Sequence, residues 1–192
     1  MLVRQHIHIA GPKRSGKNQV AKRLVPLLVA EGMNPCVIDV DEVKSKLFGK
    51  TSFLPDSPGS KTHQAQTLEQ IFADLTPGVW NMAFTPIVCA THSARQTFES
   101  ACELSDRLGS DMKFLLLDPI SLEEAIARSA TMEPDDYSDM RDFTDPAIVE
   151  SFLQSARNCT RTYAGISDPR IHRIAQSDPD TMARDAFDFI MA

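Results

Sequence analysis

Gly11-Pro12-Lys13-Arg14-Ser15-Gly16-Lys17-Asn18 is the stretch that decides the fold. It has the Gly-x-x-x-x-Gly-Lys spacing of a phosphate-binding loop, and it ends in Asn where Ser or Thr is usual. The flanks agree with this reading. His6-Ile7-His8-Ile9-Ala10 before it is a short β-like run, and Val20, Leu24, Leu27 and Leu28 after it recur at helix spacing. Strand, glycine-rich loop and helix in that order are the context the motif requires. Glycines let the backbone curl until successive N–H groups converge on a phosphate. The helix behind adds its positive end, and Lys17 adds a mobile charge for the outer phosphates. Gly11, Pro12, Lys13, Arg14, Ser15, Gly16, Lys17, Asn18 and Gln19 are therefore expected to hold a nucleotide. At Asn18 the usual hydroxyl would ligate Mg²⁺. An amide carbonyl can do so too, but it is longer and not isosteric, so nucleotide binding is better supported than catalysis.

The 192 residues suffice for one domain with a sizeable core. A net charge of −6 argues against broad binding of duplex nucleic acid and against an anionic membrane surface. It leaves room for a local basic cluster, which Lys13, Arg14, Lys17, Lys22 and Arg23 provide. No stretch has the length of a membrane-spanning helix. The first strand starts at once, so no signal peptide is expected. Cys36, Cys89, Cys102 and Cys159 are scattered and are expected as reduced thiols in a cytoplasm, not as a zinc site.

Strands and helices alternate along the chain. Strands are expected at 3–10, 36–40, 85–90, 112–117 and 170–175. Helices are expected at 16–31, 41–48, 62–75, 93–108, from Pro119 and Ser121 to about Arg128, and at 146–164 and 180–191. Thr76-Pro77-Gly78 is read as the end of the third helix. Residues 129–145 are polar and acid-rich. This alternation means an α/β fold with a parallel five-stranded sheet and right-handed crossovers. Ligands then sit at the carboxyl ends of the strands. The 11–18 loop, the Asp39/Asp41 pair and the Cys89–Arg95 segment all fall there.

With these features in view, the chain resembles the small P-loop kinases, closest to the adenylylsulfate-kinase, gluconate-kinase and zeta-toxin-like group. The resemblance rests on Gly11 to Lys17, on Val37-Ile38-Asp39-Val40-Asp41-Glu42-Val43-Lys44, on Phe114 to Arg128, on Ser138-Asp139 and on Ser177-Asp178-Pro179. It implies a P-loop three-layer sandwich of one domain over 1–192, with a short lid near 128–147. It implies ATP and Mg²⁺ as cofactors, and γ-phosphoryl transfer to a hydroxyl of a small molecule. Lys17 would hold the β and γ phosphates. Asp41 would accept the acceptor's proton or hold Mg²⁺ through water, with Asp39 as its substitute. Two positions along an extended strand would put both carboxylates on one side, and Asp41 as a helix cap is a compatible alternative. Arg128, and second to it Arg141, would close over the transferring phosphate; a surface ion pair to a neighbouring aspartate is the competing reading. Asp39, Lys44, Thr91 and Arg95 would face the acceptor, and Asp178 would lie by the adenine. Asn18 and Asp41 are the metal candidates.

Two departures weaken the metal arrangement: Asn18, and Cys89 where similar chains commonly carry Asp. Lys44 stands where Arg is common. A nucleotide-binding protein without transfer activity is the alternative function. No Asn-Lys-x-Asp segment is present, which disfavours a GTPase. Lys44, Lys46, Lys50 and Lys61 read either as attraction for an anionic acceptor or as a solvated face, the commoner case. His92 reads as an exposed helix start before a general base. His6 and His8 share a strand face and read as packed or hydrogen-bonded. Trp80 and Phe84 read as packing residues.

Overall fold

The computed structural model describes residues 5–48, 75–91, 95–131 and 143–192. Five strands, β1 (Gln5–Ala10), β2 (Pro35–Asp39), β3 (Thr85–Ala90), β4 (Asp111–Leu117) and β5 (Ile171–Ile174), form one sheet in the order β2-β3-β1-β4-β5. All four pairings are parallel. The helices are α1 (Lys17–Ala30), α2 (Val40–Phe48), α3 (Arg95–Leu108), α4 (Leu122–Thr131), α5 (Pro146–Tyr163) and α6 (Pro179–Met191). A further helical stretch covers 75–81. The chain builds β2 and β3 on one side of β1 and β4 and β5 on the other. The carboxyl end of β1 is thus the switch point of the sheet, where a crevice opens.

The two-residue period of the strands divides the core. Ile7, Ile9, Ile87, Leu115 and Leu117 face one way, onto Val20, Leu24 and Leu28 of α1 and Met182, Ala186 and Ile190 of α6. Ala10, Met112, Phe114 and Leu116 face the other way, onto Phe98 and Ala101 of α3 and Tyr163 of α5. Helices on both faces explain why β4 reads as a nearly continuous apolar run and why β1 is buried on both of its faces. No described helix is long and apolar enough to cross a membrane. The four cysteines are free thiols.

Three expectations need correction. Thr76-Pro77-Gly78 does not end a helix but lies within the 75–81 helical stretch; residues 62–74 lie outside the described set. β2 stops at Asp39, and Asp41 sits in the first turn of α2, so the two carboxylates are not two positions along one strand. Finally, α4 runs on to Thr131, so Arg128 belongs to its last turn and not to a lid. Residues 132–142, with Arg141 and Ser138-Asp139, lie outside the described set, and 146–147 already belong to α5.

The real stop after 75–81 is a left-handed residue. Ala83 N donates to Trp80 O and Phe84 N to Val79 O, with Ala83 at φ 65°. The same paired bonds close α1 at Gly32 and α3 at Gly109. These are three Schellman ends, two of which use the glycine that tolerates positive φ. An L-residue there is strained by about 1–2 kcal/mol, and the extra chain freedom of glycine offsets roughly half of that. Ala83→Gly is therefore expected to stabilise the fold by about 0.5–1 kcal/mol. Urea unfolding checks this; a less stable variant would disprove the strain.

Candidate active site

The phosphate loop leaves the end of β1 and turns into α1 within six residues. Gly11 has φ 151°, and a Cβ there would lie 2.7 Å from Ser15 Oγ and 2.9 Å from Leu117 O. Both the angle and the space require glycine. Gly16 at φ 92° forms the left-handed step into the helix. Ser15 Oγ is buried, with no hydrogen-bond partner among the described residues.

Lys17 is buried, and its Nζ donates to Gly11 O at 3.1 Å and Pro12 O at 2.9 Å. The ammonium thus lies back across the mouth of its own loop. Burial lowers its pKa from the ordinary lysine value, against the pull of Asp41 and Asp39. A desolvated cation held, among the described residues, by two carbonyls is set to receive an anion.

Asn18 meets Asp39. Its Nδ2 donates to Asp39 Oδ2 at 2.5 Å, and Asp39 Oδ1 accepts from Asp41 N at 2.9 Å and Glu42 N at 3.3 Å. Asp39, not Asp41, therefore caps α2. Burial, then the neighbouring Asp41, raises the Asp39 pKa. Asp41 is exposed at the same edge of the sheet. Cys89 lies in this region with its thiol pushed up to about 12 by burial. It remains protonated at neutral pH and offers no hard oxygen to a metal.

The outside of the loop is held at three consecutive residues. Lys13 N donates to Ser155 Oγ at 3.1 Å, and Lys13 Nζ to Ser151 Oγ at 2.9 Å. Arg128 Nη1 donates to Arg14 O at 3.4 Å, and Gln176 Nε2 to Ser15 O at 3.3 Å. Ser151, Ser155 and Cys159 lie one helical turn apart on α5, and Cys159 Sγ donates to Thr91 O at 3.4 Å. The sequence reading missed Ser151, Ser155 and Gln176. The i, i+4 serines were a visible pattern, but nothing in the sequence said which element they face.

The remaining candidates divide. Arg128 Nη2 pairs with Glu124 at 2.5 Å, and the guanidinium also reaches the loop's backbone. Arg95 pairs with Glu99 on the surface of α3 and lines a hollow of about 500 Å³ with Phe98, Cys102 and Arg170. Those contacts are not at the phosphate loop. Gln19 is exposed and accepts from Arg23 along α1. The Asp178 carboxylate is spent on the start of α6, accepting from Asp180 N, Thr181 N and Thr181 Oγ1. These bonds hold its pKa down to about 2. Lys44 lies in α2, and His92 is outside the described residues. Trp80 is buried, and Phe84 is about two-fifths exposed.

Solved structures share this fold. A sugar kinase from a Janibacter species superposes with TM-score 0.65 at 13% identity, over 98% of this chain and 95% of its own. This is the fold of the small P-loop kinases. The APS kinase of Mycobacterium tuberculosis, in complex with AMPPNP and APS, matches with TM-score 0.57 at 15% identity over 99% of both chains. A gluconokinase from Sinorhizobium meliloti matches with TM-score 0.57 at 13% identity, over 97% of this chain and 91% of its own. No protein-family model and no curated protein matches the sequence.

Proposed function

We propose that this protein binds ATP on the 11–18 loop and transfers the γ-phosphoryl group to a hydroxyl of a small molecule. The observation that carries this reading is the buried Lys17 ammonium, held by the carbonyls of Gly11 and Pro12 at the switch point of the sheet. An arriving triphosphate replaces those carbonyls as the partner of Lys17. The loop amides and the first turn of α1 take the remaining phosphate oxygens. Asp41, exposed at the adjacent carboxyl edge, accepts the proton of the attacking hydroxyl. A kinase of this fold whose structure holds AMPPNP and APS supports a nucleotide with a second small substrate beside it. The acceptor is a small hydroxylated molecule.

Phosphoryl transfer on this fold implies Mg²⁺. Among the described residues, no three His, Cys, Asp or Glu side chains form a metal cage. The oxygens that fit are Asp39 Oδ2 and the Asn18 carbonyl, with nucleotide oxygens and water completing the shell. Bound there, Mg²⁺ would neutralise charge on the outer phosphates. The Asn18–Asp39 bond favours a second reading, a nucleotide-binding protein without transfer, because the amide nitrogen occupies the carboxylate oxygen the metal would use.

Two measurements separate these readings. ADP release is assayed with ATP, Mg²⁺ and a panel of hydroxylated acceptors, beside Lys17→Ala. Acceptor-dependent release lost in the variant supports the transferase; ATP binding with no release by any acceptor supports the second reading. Asn18→Thr restores the hydroxyl and removes the competing amide. In calorimetric titrations, the gain in ATP affinity on adding Mg²⁺ is expected to be about tenfold larger in Asn18→Thr than in the wild type. Equal gains would show that the Asn18–Asp39 bond does not impede the metal.

A further inference from the structure

We infer that Gln176 is a positioning residue for the phosphate loop, holding the Ser15–Gly16 peptide with its N–H turned toward bound phosphate. The inference rests on the reading of the loop as a phosphate site and deepens it. Gln176 follows β5 closely and lies two residues before the cap of α6, half-buried. Its side chain joins three separate parts of the fold. Nε2 donates to Ser15 O at 3.3 Å and, at close range, to Asp118 O just beyond β4. Oε1 accepts from Arg128 Nη2 at 3.2 Å. Two carbonyls on one side and a guanidinium on the other define which end of the amide is nitrogen. Both N–H groups are then committed to carbonyls.

The consequence for the loop follows from peptide geometry. In a trans peptide the C=O and the next N–H point in opposite directions. Gln176 holds the Ser15 carbonyl on the outer side of the loop, so the Gly16 N–H is turned to the inner side. Arg128 does the same one peptide earlier through Arg14 O. The N–H of that peptide, which is Ser15's, returns to Pro12 O at 3.3 Å. The Ser15–Gly16 peptide is thus where an outer clamp bears most directly on an inward N–H. Arg14, the residue before it, has φ 65°, a backbone conformation that needs outside support in a non-glycine residue. Gln176 also adjoins Ser177-Asp178, where the adenine would lie.

The test uses ATP and inorganic tripolyphosphate as probes on the full chain, by calorimetry. It compares the wild type with Gln176→Met, which keeps the length and loses the hydrogen bonds. The comparison also includes Gln176→Glu, which places a carboxylate against two carbonyls. Thermal unfolding is followed in parallel. Gln176→Met is expected to weaken both probes by the same factor, about tenfold, with Gln176→Glu weaker still. A loss for ATP with none for tripolyphosphate would make Gln176 a base contact and overturn the inference. Unchanged affinities with a lowered melting temperature, or loss of folding in both variants, would reduce it to a structural residue. If the wild type binds neither probe, the nucleotide reading itself fails. If the wild type binds and the variants bind equally, only this inference fails.

Discussion

Lys17→Ala is expected to lower the affinity for ATP and for tripolyphosphate by about 100-fold, the value of one or two charge-assisted hydrogen bonds made in a desolvated site. Lys17 is buried, and burial lowers its pKa from the ordinary lysine value. Its ammonium now rests on the carbonyls of Gly11 and Pro12, which bear only partial charge. A phosphate supplies a full one. The gain on binding is therefore large, and alanine removes it entirely. The same variant should fold at least as well as the wild type, because it deletes a buried cation with no carboxylate in hydrogen-bond contact in the described structure. Calorimetric titration and thermal unfolding check both halves. An unchanged affinity would mean that the loop does not use its lysine and would sink the proposed function.

Acid is expected to weaken the fold through His6. His6 is fully buried on β1, its Nε2 lies 3.0 Å from His8 Nε2, and its Nδ1 has no partner among the described residues. One proton serves the contact between the two rings; a further proton on His6 would place a cation in an apolar layer beside Phe114. Burial pushes the His6 pKa down to about 4 from 6.5. The folded pKa is depressed, so between these values the unfolded chain binds a proton that the folded one does not. Stability is complete above the unfolded pKa and falls as pH drops toward 4. The shift corresponds to about 3 kcal/mol in total, and about 2 kcal/mol between neutral pH and roughly pH 5. Urea unfolding at the two pH values measures it. His6→Leu should flatten the dependence whatever its own offset in stability. A variant with the wild-type slope would place the acid sensitivity elsewhere.

Much of the fold was legible because short-range rules decide it. The alternation of apolar runs and helix-spaced leucines placed all five strands and most helix limits within a few residues. Where the reading failed, a local signal competed with a tertiary one. Thr76-Pro77-Gly78 has the composition of a stop, yet the left-handed step is taken by Ala83, which no propensity favours. At the site, the loop residues were legible because the motif is a backbone geometry written in glycine. The carboxylates were harder. Asp39 and Asp41 look equivalent in the sequence, and only the end of β2 at Asp39 makes one a cap bonded to Asn18 and leaves the other facing solvent.

By itself the sequence determined the parallel α/β class, the position of the phosphate loop and its unusual Asn18. These follow from periodicity, glycine spacing and side-chain identity, all of which are local. Only the tertiary structure decided which partners surround the loop. Ser155, Arg128 and Gln176 come from segments 142, 114 and 161 residues away along the chain from the loop residues they hold. Their convergence depends on the strand order, which puts β4 beside β1 and β5 beside β4. A hydrogen bond is short and directional, so its partner is set by how the elements pack and not by any pattern within them.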